Sequence, residues 1–373
     1  MENDQIKQAS PKKYFYELNF IRALACLCVV MVHVTANHYS INGQTFNWAT
    51  LFLNQIARFG TPAFAIISGF LLYNQAINRG FKLQKFVSSR FTKIVLPFVI
   101  WSIIYLIVRS YNFPWMQDGA SIKEFVLYFL RGDSYYHLYF MIVVVQFYIL
   151  FPILQFATSK NWLIFLTLVA FFTNYFFIES PFDFGSDSLN SFFQDRASLF
   201  YWMFFFLLGG LLVHYWSSLV EWIEKNAIFC AVLGLVVTLF AIYEYKTFGF
   251  YSSTRLLNMF NLPVLFISLT GVYFILGRWK KMRNYFVQLG NLSMGIYLVH
   301  PLVIHVIRTN IPEVLDRTRW IPLSFIFTVA ISIIIVKLIN KLPFGQYIVT
   351  VAAAKKPAKQ NTSTEKKTDT LSA

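Results

Sequence analysis

About ten stretches of this chain, each on the order of 20 residues, run almost without charge, and that pattern constrains the fold more than any other feature. A helix needs about 20 apolar residues to cross the roughly 30 Å hydrocarbon core of a bilayer. The runs are continuous, without the strict alternation of a membrane β-barrel. Composition agrees: 57% of residues are hydrophobic and 13% charged, against about 25% charged in a soluble domain. The fold class expected is all-α, a polytopic membrane helical bundle of about ten transmembrane helices.

The expected spans are 18–37, 49–73, 94–109, 136–157, 161–178, 197–216, 227–243, 257–276, 286–307 and 320–339. A short interfacial helix is expected at 121–130, within the loop 110–134. Residues 1–17 form a cytoplasmic N-terminus without a cleavable signal pattern, so the first span stays in place. Residues 18–342 form the transmembrane domain. Residues 343–373 read as a polar, disordered cytoplasmic tail. Of the 32 Lys and Arg, 20 fall in the expected inner loops and termini, concentrated at 79–93, 278–283 and the tail, against 9 in outer loops, which points to both termini lying inside. The net charge of +15 therefore reports topology and does not call for nucleic acid as a partner. Cys26, Cys28 and Cys230 all fall within spans, with neither disulfide nor zinc spacing, and no metal is expected.

Ionisable residues inside such spans are rare and mark function. Arg22 and His33 share the first span, eleven residues apart. At about 100° per residue that is close to three turns, so both project from one face, about 16 Å apart along the axis. Two readings of Arg22 stay open: a buried functional cation, or a side chain snorkelling to the near interface. Arg58, His137 and His300 fall, with His33, in the outer half or at the outer mouth of the expected bundle. The chain has six histidines, so half of them gather at that level. Pro62 cannot donate to the Arg58 carbonyl, nor Pro301 to that of Tyr297. Such freed carbonyls either line a cavity or mark a packing kink. Ser68-Gly69 reads as a point of close helix approach.

A neutral imidazole can take a proton from a hydroxyl, and an Arg can hold an anion or an oxyanion. No Asp or Glu lies deep in a span, which argues against proton coupling through a carboxylate relay. Nucleophile elbow, HExxH, Walker and GxGxxG patterns have no suitable setting. Arg90 and Lys93 belong to a basic inner loop that suits phosphates, anionic lipid or simple positive-inside charge.

Four patches carry a family resemblance. They are IRALACLCVVMVH with Arg22 and His33, RFGTPAFAIISGFLL from Arg58 to Leu72, HLYFMIVVVQFYILFPIL from His137 to Leu154, and LSMGIYLVHP from Leu292 to Pro301. Together and in this order they resemble the membrane-bound acyltransferase 3 family of bacterial integral-membrane O-acyltransferases. The resemblance implies a catalytic base at His33, assisted by Arg22 at the acyl donor. It implies acyl-CoA, in the first instance acetyl-CoA, held near Arg90 and Lys93. Lys93 stands where the family has a second Arg, Asn19 where an Asp is common, and Val144-Val145 where some members carry Glu. The chain is most similar to the shorter branch without an extracytoplasmic esterase domain, which includes poly-N-acetylglucosamine export and modification proteins.

The expectation is thus an O-acyltransferase of the bacterial cytoplasmic membrane. It would move an acyl group onto a hydroxyl of a surface glycan or its lipid-linked precursor, among membrane lipid. Arg58, His137 and His300 would orient the acceptor or stabilise the oxyanion. The alternative is a non-enzymatic exporter or assembly partner for a surface polysaccharide.

Overall fold

The computed structural model of the protein describes residues 14–112, 122–180, 183–249 and 252–352. Helices account for every regular element among them. The first is α1 (Tyr16–Ile41), followed by α2 (Trp48–Ile56) and α3 (Gly60–Arg79). Next, α4 (Leu83–Arg90) runs through a π-helical turn (Phe91–Val95) into α5 (Leu96–Asn112). A short α6 (Ile122–Arg131) precedes α7 (Tyr139–Leu154) and α8 (Lys160–Glu179). Then come α9 (Asp187–Phe193), α10 (Met203–Lys225), α11 (Ala227–Phe248) and α12 (Asn258–Ile275). The chain ends in α13 (Lys280–Asn310), α14 (Glu313–Asp316), α15 (Ile321–Lys341) and α16 (Gly345–Ile348).

Every expected span has a helix. Among the described residues nine helical stretches are long and apolar enough to cross a membrane, and α7, at 16 residues, is the shorter tenth. The chain is a multi-pass membrane protein. The expected interfacial helix is α6.

Several boundaries differ from expectation for local reasons. The second span is broken: Asn47 caps α2 by accepting from the Ala49 and Thr50 N–H groups, and the helix stops at Ile56. Arg58 lies in the break before α3, where Pro62 has no N–H to offer its carbonyl. Lys85, Arg90 and Lys93 are not on a loop. They sit on α4 and the π-turn, which continue into α5 as one long helix. A proline explains the turn: Pro97 cannot donate to the Lys93 carbonyl, and the helix widens just before it. Residues 343–352, expected to begin a disordered tail, instead form α16 and pack against α5 and α15. Residues 1–13 and 353–373 lie outside the described residues.

The core is built around α1, which packs against α2, α3, α12, α13 and α15. Of its apolar window 61% is buried, and of that of α13 72%, whereas α11 buries 17% and turns Ile228, Val232, Leu235 and Leu239 outward. An outward apolar face is expected of a helix at the lipid boundary. Close backbone contact fixes the central helices. A Cβ on Gly290 of α13 would lie 1.9 Å from the Asn19 carbonyl oxygen of α1. Gly69 of α3 and Gly209 of α10 form a similar notch, each against the other helix's backbone. Gly69 therefore has the packing role its Ser-Gly pair suggested.

Candidate active site

The contact between α1 and α13 carries two histidines into one cluster. The His33 ring stacks on that of His300, with centroids 5.3 Å apart and planes 29° from parallel. His137, in the turn before α7, meets His300 edge-on at 5.6 Å. Three of the expected site residues thus come together. His137 and His300 are fully buried, while His33 is only partly so. Tyr136 flanks His33 at 4.7 Å.

Two tyrosines hold this cluster. The Tyr297 hydroxyl donates to the His137 carbonyl. The Tyr105 hydroxyl donates to the Leu298 carbonyl at 2.6 Å and accepts from the Leu302 N–H at 3.1 Å. It thereby splices α13 where Pro301 disturbs the hydrogen-bond ladder. His300 sits inside that splice. Its Nδ1 lies 3.0 Å from the Ile296 carbonyl oxygen, an acceptor only, so Nδ1 carries the proton. In the neutral ring Nε2 is then an acceptor, and it is buried without a hydrogen-bond partner among the described residues.

Arg58 is attached to the same region from the side. Its Nε and Nη2 donate to Asn54 Oδ1 at 3.0 and 2.8 Å, and Asn54 donates in turn to Thr35 Oγ1 at 2.9 Å. Thr35 is two residues beyond His33 on α1. Arg58 and Arg196 both lie within electrostatic range of His33. The Arg196 guanidinium rests 4.5 Å over the Tyr139 ring.

Arg22 is elsewhere. It does not meet His33, about 16 Å farther along α1. Instead it lines a cavity of about 870 Å³ at the end of the bundle where α1 begins and α15 finishes. Asn19, in the position where the family commonly has Asp, receives a hydrogen bond from Arg22 Nη1 at 3.4 Å. Arg90 and Lys93 line the same cavity, so three separated cations share one space. Among the described residues no carboxylate lines it. A cavity so charged suits an anion, and its walls are otherwise mostly apolar. Tyr14 borders it just before α1 and donates to Asn291 Oδ1 at 2.9 Å. Burial pushes this phenol above its ordinary range, which keeps it a neutral donor.

The cavity reaches Phe140, Met141 and Tyr297, directly beside the histidines, and Ser293 one turn below Tyr297. His33 itself does not line it. Tyr297 is therefore the shared wall between the basic cavity and the imidazole cluster. Among the described residues no group of three or more His, Cys, Asp or Glu is placed to hold a metal ion.

Tyr105, Tyr136, Asn54, Arg196 and Tyr14 were not singled out from the sequence, and Tyr297 was named there only for its carbonyl. Tyr297 was within reach: it stands four residues before Pro301. Tyr105 and Asn54 act across helices, which one-dimensional spacing does not reveal.

A family model described as an acyltransferase domain matches residues 15–337. A probable poly-beta-1,6-N-acetyl-D-glucosamine export protein of Staphylococcus aureus (strain MSSA476) is 24% identical over 366 residues, covering 94% of this chain and 99% of the relative. A protein of the same description from Staphylococcus epidermidis is 25% identical over 309 residues, or 79% of this chain and 82% of the relative. No solved structure matches the chain. The family match begins at Phe15, before α1, ends at Lys337 on α15, and takes in all three clustered histidines. On that extent, the chain belongs to the membrane-bound acyltransferase 3 family.

Proposed function

We propose that this protein transfers an acyl group, acetyl in the first instance, from acyl-CoA to a hydroxyl of a surface glycan or its lipid-linked precursor. The supporting observation is the join between the two sites. A cavity with Arg22, Arg90 and Lys93 and, among the described residues, no carboxylate ends at Tyr297, and behind Tyr297 lie His300 and His33. The cations meet the phosphates of the donor, and the acyl thioester extends toward the histidines. In a bacterial cytoplasmic membrane with both termini inside, the donor enters from the cytoplasm.

His33 is the general base in this scheme. Its unprotonated nitrogen takes the proton of the acceptor hydroxyl as the oxygen attacks the thioester carbonyl. The C–O bond forms and the carbonyl oxygen takes the negative charge. Collapse of the tetrahedral adduct breaks the C–S bond, and the leaving thiolate takes the proton back from the His33 imidazolium. The products are an ester and free CoA. His300 and His137 hold the His33 ring in place by stacking and edge contact, and Arg58, steadied by Asn54, offers positive charge to the oxyanion. Arg22 acts at the donor, since it lies in the cavity and away from His33.

The names of the relatives favour a second reading, export or assembly of a polysaccharide. One experiment separates the two. Cells lacking the protein are complemented with wild type, His33→Ala or Arg22→Ala, with membrane insertion checked by blot. Ester-linked acyl groups on the surface glycan are then measured. Acyl groups restored by wild type and not by His33→Ala support transfer. Full restoration by His33→Ala removes the base from this residue and moves the export reading to the front.

A further inference from the structure

The residues beyond α15 form a strap across the basic end of the bundle. The reversal is tight: a Cβ on Gly345 would lie 1.8 Å from the Ile339 carbonyl oxygen. Trp101 Nε1 on α5 donates to the Ile348 carbonyl at 3.0 Å. Val349 is fully buried. The Ala352 N–H donates to the Asn291 carbonyl of α13 at 3.1 Å. Between these staples the Thr350 hydroxyl donates to the Lys93 carbonyl, the group to which Pro97, four residues on, has no N–H to donate. The strap thus completes the π-turn from which Lys93 projects.

Gln346, Tyr347 and Thr350 line the same cavity as Arg90 and Lys93. The Arg90 guanidinium already rests on rings, 5.4 Å from the Phe86 centroid and 5.1 Å from that of Tyr148. Tyr347 is different. It is half-buried at the cavity wall, and no ring or cation among the described residues packs on it. An uncommitted aromatic face and an amide side chain beside two cations match a nucleotide better than an inorganic polyanion. Phosphates bind the cations, and a base stacks on the ring, a contact that any base can make.

We propose that residues 345–352 form the binding site for the nucleotide end of the donor, with Tyr347 stacking on the purine and Thr350 positioning the Lys93 turn. This rests on the acyl-CoA reading above and adds to it the part of the protein that recognises the nucleotide. The strap follows the residues matched by the family.

The test is calorimetric binding of coenzyme A and of 4′-phosphopantetheine, which lacks the nucleotide, to the full chain in lipid nanodiscs. Tyr347→Ala is expected to weaken coenzyme A binding about tenfold and leave 4′-phosphopantetheine binding unchanged. Tyr347→Phe, which keeps the ring, is expected to bind both as wild type. Unchanged 4′-phosphopantetheine binding also reports that the variant is folded. If Tyr347→Ala binds coenzyme A as wild type does while Arg90→Ala is weakened, the strap is no part of the site and the donor reading survives. Equal loss of both ligands in Tyr347→Ala also overturns the proposal, because the nucleotide is then not what the ring recognises. If wild type binds neither ligand, the donor reading fails, and this proposal with it.

Discussion

His33 on α1 and His300 on α13 stack at 5.3 Å, whereas Arg22, on the same helix as His33, takes no part in this contact. Arg22 shares the helix face but stands about 16 Å away, in the basic cavity. In membrane vesicles supplied with labelled acetyl-CoA, His33→Ala is expected to lower kcat by about 10²–10⁴-fold, the range for loss of a general base. His300→Ala is expected to lower kcat less and to leave the donor KM unchanged, since His300 lies outside the cavity. Wild-type turnover by His300→Ala would remove it from the site.

Tyr105→Phe tests the splice in α13. The substitution leaves the Leu298 carbonyl and the Leu302 N–H without their shared partner. A buried polar group left unpaired costs about 1–3 kcal/mol. The expected result is a lower Tm in nanodiscs together with reduced kcat, because the His300 backbone lies between the two freed groups. A variant with wild-type Tm and turnover would show that the hydroxyl contributes nothing there.

Gly290→Ala and Gly69→Ala separate packing from catalysis. Each added methyl would meet a backbone oxygen, of Asn19 or of Phe206, at under 2 Å. Overpacking of this kind costs about 1–3 kcal/mol, so both variants should melt earlier. They should differ in the fraction that remains folded. Gly290→Ala pushes α1 away from α13 beside the Asn19–Arg22 hydrogen bond, and its specific activity should fall. Gly69→Ala acts between α3 and α10, and its specific activity should stay closer to wild type.

Asp133 offers a pH test outside the membrane spans. It is half-buried in the turn between α6 and α7, and burial raises its carboxyl above the usual carboxylate range. A value raised in the fold means that the native state holds the proton more tightly than the unfolded chain. The corresponding stability is fully present below the unfolded carboxylate pKa and is lost as pH rises through the folded one. Asp133→Asn cannot ionise. Its Tm should equal that of wild type at the acid end of a series and exceed it increasingly toward pH 7. A gap that instead widened toward low pH would reverse the sign of the effect.

The spans were legible because apolar length is a one-dimensional property, and each has a helix. The histidine level was legible because depth in a helix follows from residue count, and His33, His137 and His300 do meet. Proline spacing carried more than was taken from it. Arg58, Lys93 and Tyr297 each stand four residues before a proline, and each lies at or beside the candidate site. The helical setting of Arg90 and Lys93 was hidden, since a charged helix extending beyond the membrane looks like a basic loop. The fold-back of 343–352 was hidden as well. Its staples use backbone groups and partners far away in sequence, such as Trp101 and Asn291.

Arg90 and Lys93 allow the donor end to be tested by charge and by shape. Both line the cavity, but only Arg90 has the planar fork that grips a phosphate through two parallel hydrogen bonds. Its guanidinium is further steadied over Phe86 and Tyr148. Arg90→Lys keeps the charge and loses both the fork and the stacking, so the donor KM should rise several-fold with kcat nearly unchanged. Arg90→Ala should raise it further. Lys93→Arg restores a fork at the second position, and the donor KM should hold or fall. The pattern to look for in initial rates at varied acetyl-CoA is an effect on KM with little on kcat, because these side chains stand beyond Tyr297 from the histidines. A loss confined to kcat would mean that the cations serve the chemical step, and the division of labour along α1 would have to be redrawn.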